Sequence, residues 1–565
     1  MQIQPQHFSL GTLFNDRLFR IPEYQRAYAW QTKQRSDLFE DIIKVQASGN
    51  DAEHFMATLV GLRRRKISVA AHQYVEIDVV DGQQRLTTLT ILLKAIGKAL
   101  DRSDKVEAKR AEEIDTLLVK GDDLSLLLLQ TNHDSSHVFV DYLREGTPPS
   151  GNGAATAADQ NLTKAIAECE GFVAEWPQLT GATLMDLLAI VRNRLTVIFH
   201  EIEDEALVYT VFEVLNSRGL DVTWFDKLKS LLMALVFEHG DKGSKRATIE
   251  ELHELWKRIY TTIGLRQTLN KETLRFAGTL WAETCPNRPL SEEDAVEVLT
   301  SRCGKKSKKV VECTKWLLKV TQAEDRLLSN HRLRAPTEIV QARLVAIAIL
   351  LRNFDEADES AVLRAWERVT FRIFGFGGED ARKKVGEYVR LSWRIINEDL
   401  SPSVIQDELR SIGLDYPVEE VVKGLANADC YYDWTEQLRY FLFRYDEFLA
   451  KTAGQALNAS QWNKIWADEP SKSIEHIRPR SKGSEDPKTS SIFVHRLGNL
   501  MMLPPGLNSK LQDNDPKVKG KDYESCGLLQ AIEVARLIKK GKWDRSAVEA
   551  REKRLVKWAA AEWAD

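Results

Sequence analysis

Cysteine is scarce in this chain and never grouped. Its six cysteines, Cys169, Cys285, Cys303, Cys313, Cys430 and Cys526, are scattered through 565 residues and form no CxxC pair. That argues against a zinc finger and gives no disulfide framework, so a reducing cytoplasm is the expected compartment. Long apolar runs are missing too. None reaches the roughly 18 residues that a bilayer span needs, and the stretch from Leu228 to Phe237 is too short. Met1 to Phe14 has no basic segment ahead of an apolar one, so no secretory signal and no membrane partner are expected. Internal repeats, heptads and low-complexity tracts are absent. With 43% hydrophobic and 29% charged residues, the chain has material for several soluble domains.

What is present is concentrated near the end. Ile474-Glu475-His476-Ile477-Arg478-Pro479 is followed by His495-Arg496-Leu497-Gly498-Asn499-Leu500 and then by Asn508. Cutting a phosphodiester requires a base that deprotonates water, a hard cation that neutralises phosphate charge, and a group that orients the base. His476 is the candidate base. Glu475 and the amide oxygen of Asn508 are hard oxygen donors suited to Mg²⁺ or Mn²⁺, and Asn499 is placed to fix the imidazole through a backbone contact. Residues 491–494 and 500–503 have strand length and apolar content, and Pro504-Pro505-Gly506 ends the second run. From Ser471 to Asp565 there are 19 Lys/Arg against 13 Asp/Glu, a surplus of six in a chain of net charge −4. Basic charge therefore gathers where phosphate contact is expected.

These residues resemble the His-Asn-His (ββα-metal) nuclease superfamily with Asn in the last position. More closely, they resemble the C-terminal domain of GmrSD-type modification-dependent (type IV) restriction endonucleases. That family carries an Ile-Glu-His-Ile-x-Pro run, a Leu-Gly-Asn-Leu strand, and a downstream Asn before a Lys-rich loop and a Tyr. Here these are Ile474 to Pro479, Leu497 to Leu500, Asn508, and Lys517 to Tyr523. The likeness continues through Trp543, Arg551 and Leu555 and covers roughly the last hundred residues. The family usually has a histidine where His495 stands, either touching phosphate or supporting the hairpin. Lys510 is a second-tier basic residue beside Asn508.

A second constellation lies far upstream. Arg20-Ile21-Pro22-Glu23-Tyr24-Gln25-Arg26 precedes a stretch from Tyr74 to Arg85. Val75, Ile77, Val79 and Val80 read as a strand, Asp81-Gly82 as a turn, and Leu86 onward as a helix. A strand, a Gly turn and a helix start bearing an Arg make an anion site: free backbone N–H groups and the helix dipole face one phosphate, which the guanidinium can grip with two bonds. The alternative for Arg85 is a helix-start residue paired with Asp81. No GxxxxGK[ST] or GxGxxG lies nearby, so this is not a Walker loop. Asp81-Gly82-Gln83-Gln84-Arg85 resembles the Asp-Gly-Gln-Gln-Arg motif of the amino-terminal GmrSD domain, whose fold is similar to ParB and sulfiredoxin. The resemblance implies that Tyr24, Gln25 and Arg26, with the Gly82 to Arg85 loop, bind and hydrolyse a nucleoside triphosphate. A third family element, Phe212 to Leu220 followed by Asp226 to Ser230, implies Asn216 and Arg218 beside the nucleotide.

The expected fold class is α+β multidomain. Residues 1–240 form a ParB/sulfiredoxin-like nucleotide domain with an exposed loop at 146–153, residues 241–440 a helical linker or sensor region, and residues 441–565 the ββα-metal nuclease. In the middle region Leu252, Leu255, Trp256 and Ile259 recur at helix spacing. Its tryptophans, Trp256, Trp281, Trp316, Trp366 and Trp393, fill cores or, alternatively, cage a modified base. Arg63-Arg64-Arg65-Lys66 reads as a solvated loop tip or a DNA contact, and His54 as a satisfied structural histidine. The resemblance implies a nucleotide-regulated, metal-dependent endonuclease that cuts modified double-stranded foreign DNA in bacterial defence, as a monomer or a homo-oligomer. The alternative from another class is a nucleotide-gated sensor whose nuclease is weak or aimed at RNA.

Overall fold

The computed structural model describes the chain except residues 1–4, 23–24, 26, 50–52, 70–71, 121–126, 131–135, 148–155, 204–222, 240–244, 265, 305, 334–335, 337, 427 and 484–490. Most of the 146–153 loop therefore lies outside the described residues. Two compact units emerge: residues 1–278 with 291–322, and residues 279–290 with 323–565. The helical middle is divided between them. It does not stand as a third body.

The first unit is built on a six-stranded sheet in the order β1-β6-β3-β4-β2-β5. Its strands are β1 (Pro5–Ser9), β2 (Arg17–Ile21), β3 (His54–Val69), β4 (His72–Asp81), β5 (Leu128–Gln130) and β6 (Leu195–Ile202). β3 and β4 make an antiparallel hairpin, with β2 parallel to β4 and β6 parallel to β3. Alternation along β4 separates two chemistries. Ile77 and Val79 join the core shared with the helices Thr32–Ala47, Gln83–Ala99 and Ala157–Thr180, through Leu38, Leu89 and Phe172 among others. Glu76 and Asp78 face the other way, where Arg20 reaches Glu76 at 2.9 Å and Arg64 reaches Asp78 at 2.6 Å.

The basic run Arg63 to Lys66 is not a loop tip. It lies inside the 16-residue β3, next to a register shift, and Arg63, Arg64 and Arg65 pair with Glu201, Asp78 and Glu76. Acids on neighbouring strands compensate the run, and pairing between strands is invisible to a local reading. His54 opens β3 with Nε2 3.5 Å from Asp41.

In the second unit helices surround a short hairpin. β7 (Ile474–His476) pairs antiparallel with β8 (Leu500–Met502). Helices Pro505–Leu511, Pro516–Ser525, Leu529–Lys540 and Arg545–Glu562 follow. The strand expected at 491–494 is instead a 3₁₀ turn, Ser491–His495, whose Val494 carbonyl accepts from the Asn499 side chain at 2.8 Å in place of a ladder partner. Arg551 Nη1 donates to the carbonyls of Leu497, Gly498 and Leu500 at 3.3, 3.0 and 2.7 Å, tying the last helix to the turn that leads into β8. Gly498 is required there: a Cβ would lie 2.1 Å from the Val548 carbonyl oxygen. Of the five tryptophans Trp256 and Trp366 are fully buried, and the indole N–H groups of Trp366 and Trp393 are bonded to the carbonyls of Ala342 and Ala282, both at 2.8 Å. Among the described residues no helix is long and apolar enough to cross a membrane.

Candidate functional site

Strand geometry sends Glu475 and His476 to opposite faces of β7. Glu475 Oε1 accepts hydrogen bonds from Lys519 Nζ at 2.7 Å and Tyr523 Oη at 2.6 Å. Lys519 and Tyr523 are four residues apart on the Pro516–Ser525 helix, so both meet β7 from one face. Lys519 also donates to the His476 carbonyl at 3.0 Å. Burial holds the Glu475 carboxyl above its usual range, against the opposing pull of Lys519 and Tyr523. Both contacts land on Oε1, which leaves Oε2 for a cation.

His476 is 8% exposed. Its Nε2 lies 3.0 Å from His495 Nδ1, and the Tyr431 ring packs 4.6 Å from it. Burial first, then His495, Arg480 and Lys519, pull its pKa down to about 3, so the ring is neutral at ordinary pH. With Nε2 engaged, Nδ1 is the nitrogen left to accept a proton. His495 stacks on Tyr431, centroids 5.4 Å apart at 23°, and its carbonyl accepts from the Cys430 N–H at 3.0 Å. Burial, with Arg480 nearby, holds His495 below its ordinary value against the pull of Asp429.

Asn499 does not touch the imidazole. Its Oδ1 accepts from the Arg478 N–H at 2.8 Å and Trp543 Nε1 at 3.1 Å, and its Nδ2 donates to the carbonyls of Arg478 and Val494 at 3.0 and 2.8 Å. The amide is fully satisfied. It clamps the backbone just beyond His476. Asn508 Nδ2 donates to the carbonyls of Lys472 and Ile474 at 2.8 and 3.2 Å. Since both partners are acceptors, the amide orientation is fixed, and Oδ1 is left as a ligand atom. Lys510 pairs with Asp522 at 2.9 Å on the surface.

Among the described residues no three His, Cys, Asp or Glu side chains gather as a metal cage. The donors on offer are one carboxylate and one amide oxygen. That set fits Mg²⁺, which commonly takes one or two carboxylates and completes its shell with water and substrate phosphate. Sequence reasoning missed Tyr431, Arg480 and the roles of Lys519 and Tyr523. The Lys519-x-x-x-Tyr523 spacing behind the Asp515-Pro516 helix start was a usable signal; nothing local marks Tyr431.

In the first unit β4 ends at Asp81 and the chain turns through Gly82 at φ +92°. A Cβ there would lie 1.9 Å from Leu59 Cδ2, so glycine is required. Gly82 caps the Gln83–Ala99 helix without a side-chain acceptor, and N–H groups at such a helix start suit an anion. Arg85 stands in that turn, half-buried, its guanidinium 5.9 Å from the Trp30 ring. No acceptor among the described residues bonds it; Asp81 supports its charge only through space, while burial works against it.

Gln84 Oε1 accepts from the N–H groups of Ala29 and Trp30 at 2.8 and 3.3 Å, its Nε2 donates to the Ala27 carbonyl at 3.2 Å, and Gln25 Nε2 donates to the Val80 carbonyl at 2.8 Å. These two amides lace the 25–30 segment to the helix start. They bring two of the sequence elements together and do so by binding backbone. Gln83 is buried in the same turn. Tyr24, Arg26, Asn216 and Arg218 lie outside the described residues. Asp226 falls in the first turn of the Trp224–His239 helix and accepts from Tyr260 Oη at 2.6 Å; beside it burial pulls Lys229 down to about 7.

Residues 10–233 match the family model described as GmrSD restriction endonuclease, N-terminal domain, and residues 418–558 match the one described as GmrSD restriction endonucleases, C-terminal domain. The Gly82 to Arg85 turn falls within the first match and the β7–β8 hairpin within the second. No curated protein matches the chain.

Proposed function

The chain belongs to the GmrSD restriction endonucleases, which makes DNA its partner, and from that premise we propose that it makes a metal-dependent cut in modified foreign DNA under the control of a bound nucleoside triphosphate. One observation carries the nuclease half: a buried, neutral His476 with Nδ1 open, on a hairpin that also bears Glu475 and Asn508. His476 Nδ1 takes the proton of the attacking water while Nε2 stays bonded to His495. Asn499 and Trp543 fix the backbone that carries the ring. Lys519 holds the Glu475 carboxylate in place. A divalent cation held by Glu475 and Asn508 would neutralise phosphate charge and stabilise the leaving oxygen. The β7–β8 hairpin with the helix that follows supports a ββα-metal assignment, and the mixed sheet with a helix-start turn after β4 supports a ParB/sulfiredoxin-like one.

The nucleotide half rests on Arg85, a guanidinium with no acceptor among the described residues, at a helix start whose N-cap Gly82 offers no side chain. Phosphate supplies what both lack. Six free thiols are in keeping with a cytoplasmic setting. The test is cleavage in Mg²⁺ of phage DNAs that differ only in base or backbone modification, with and without each triphosphate and with an RNA control. Cutting confined to a modified DNA and altered by a triphosphate is the expected result. Cutting of RNA alone, or rates identical with and without every triphosphate, would overturn the corresponding half.

A further inference from the structure

Away from the hairpin, the same unit carries a cavity of about 420 Å³ beside the helices Glu356–Thr370 and Pro402–Ile412. Its lining includes Arg364, Arg368, Gln406, Arg410 and Asp565. Arg364 and Arg368 stand one turn apart on one helix, where like charges repel. Neither has a hydrogen-bond or ion-pair acceptor among the described residues, and Arg368 Nε is buried without one. The acids nearby are engaged elsewhere. Glu367 Oε1 accepts from Arg444 and Tyr440 at 2.7 Å and from Trp563 at 3.0 Å, and Glu562 is paired with Arg444. Asp565 is bonded to Arg372 at 2.8 Å, and Arg410 to Asp407 at 2.6 Å. Two guanidinium forks are left facing a solvent-reached cavity, an arrangement that suits a tetrahedral oxyanion.

We propose that this cavity binds a backbone phosphate of the DNA substrate, away from the scissile bond. The proposal rests on the restriction-endonuclease reading. The last helix links the two places: Arg551 holds the turn before β8, and Asp565, three residues beyond the helix end at Glu562, lines the cavity. Roughly 16 Å of helix separates Arg551 from Glu562 at about 1.5 Å per residue. Phosphates recur about every 3.4 Å along each strand of a duplex, so a separation of this order is spanned by a few nucleotides.

The test is anisotropy of a short fluorescein-labelled duplex, titrated in chelator over a salt series. Arg364→Ala with Arg368→Ala is expected to weaken binding about tenfold at low salt and to flatten the log–log salt slope by about one. Arg364→Lys with Arg368→Lys keeps the slope, because charge remains, while losing part of the affinity with the fork. Arg364→Ala alone, at an exposed position, moves both quantities in the same direction by less, so a folding defect in the double variant cannot mask the result. Unchanged duplex affinity and slope would overturn the proposal. So would loss of calorimetric binding of inorganic phosphate or of a free nucleotide at unchanged duplex affinity, which would assign the cavity to a small anion. A wild-type protein that binds no duplex at all would strike the DNA reading itself, whereas duplex binding that ignores the double variant strikes only the cavity.

Discussion

Among the described residues Arg85 in the first unit has an aromatic ring 5.9 Å away and no bonded acceptor, whereas Glu475 in the second has two donors within 2.7 Å. Around Arg85 the Gln84 and Gln25 amides are committed to backbone, so the cation stands on a braced turn with no acceptor bonded to it among the described residues. Around β7 Glu475, His476, Asn499 and Asn508 are each bonded to the protein, and the atoms left without a bond among the described residues are His476 Nδ1, Asn508 Oδ1 and Glu475 Oε2. The first arrangement waits for a ligand to complete it. The second is assembled before any ligand arrives, as a site must be whose work is positioning and electrostatics. Equivalent substitutions should therefore act on stability in one unit and on binding in the other.

Lys519→Met gives the largest contrast. It leaves the Glu475 carboxylate buried without its cation, a change expected to cost about 3–5 kcal/mol, measured by denaturant unfolding. Adding Glu475→Gln should recover much of that loss, since the uncompensated charge disappears. A loss under about 1 kcal/mol would mean that the hairpin is not preassembled around this pair. Asn499→Ala comes next: unpairing the Arg478 N–H and the Trp543 indole should cost about 1–3 kcal/mol and reduce cutting more than DNA binding. Arg85→Ala is the counterpart in the first unit. Among the described residues no hydrogen bond or ion pair is lost, so stability should stay within about 0.5 kcal/mol while affinity for a non-hydrolysable triphosphate falls at least about tenfold. Marked destabilisation with unchanged affinity would reverse the comparison.

A further prediction concerns pH dependence. The His476 pKa is depressed from 6.5 to about 3 in the folded chain. On acidification the unfolded chain takes up this proton near 6.5 while the folded chain resists it until about 3, so the native state loses stability as pH falls through that window. His476→Gln removes the component. The difference in unfolding free energy between wild type and this variant should move against the wild type from pH 7 to pH 4; a difference independent of pH would mean that the ring is not buried as described.

Much of the hairpin was legible because its chemistry is local. Glu475 and His476 are consecutive, and Asn499 and Asn508 follow within one supersecondary unit. The 491–494 segment misled because a short apolar run looks alike as strand or 3₁₀ turn, and the Asn499 amide that captures Val494 decides between them. The run from Arg63 to Lys66 misled because its compensating acids sit on other strands. Gly82 and Arg85 were readable from the strand–turn–helix pattern, but the commitment of Gln84 and Gln25 to backbone depends on a segment tens of residues away. Tyr431 was out of reach for the same reason. It meets His476 and His495 only once the chain has folded back on itself.

The central claim is that the β7–β8 hairpin cuts DNA with His476 as its base. It is tested most directly by single-turnover cleavage of susceptible DNA in Mg²⁺ by wild type and His476→Ala, alongside duplex binding by the same two proteins in chelator. The rate should fall by about 10²–10⁴-fold with duplex affinity unchanged. Cleavage by His476→Ala at a near wild-type rate, with the fold and binding intact, would contradict it.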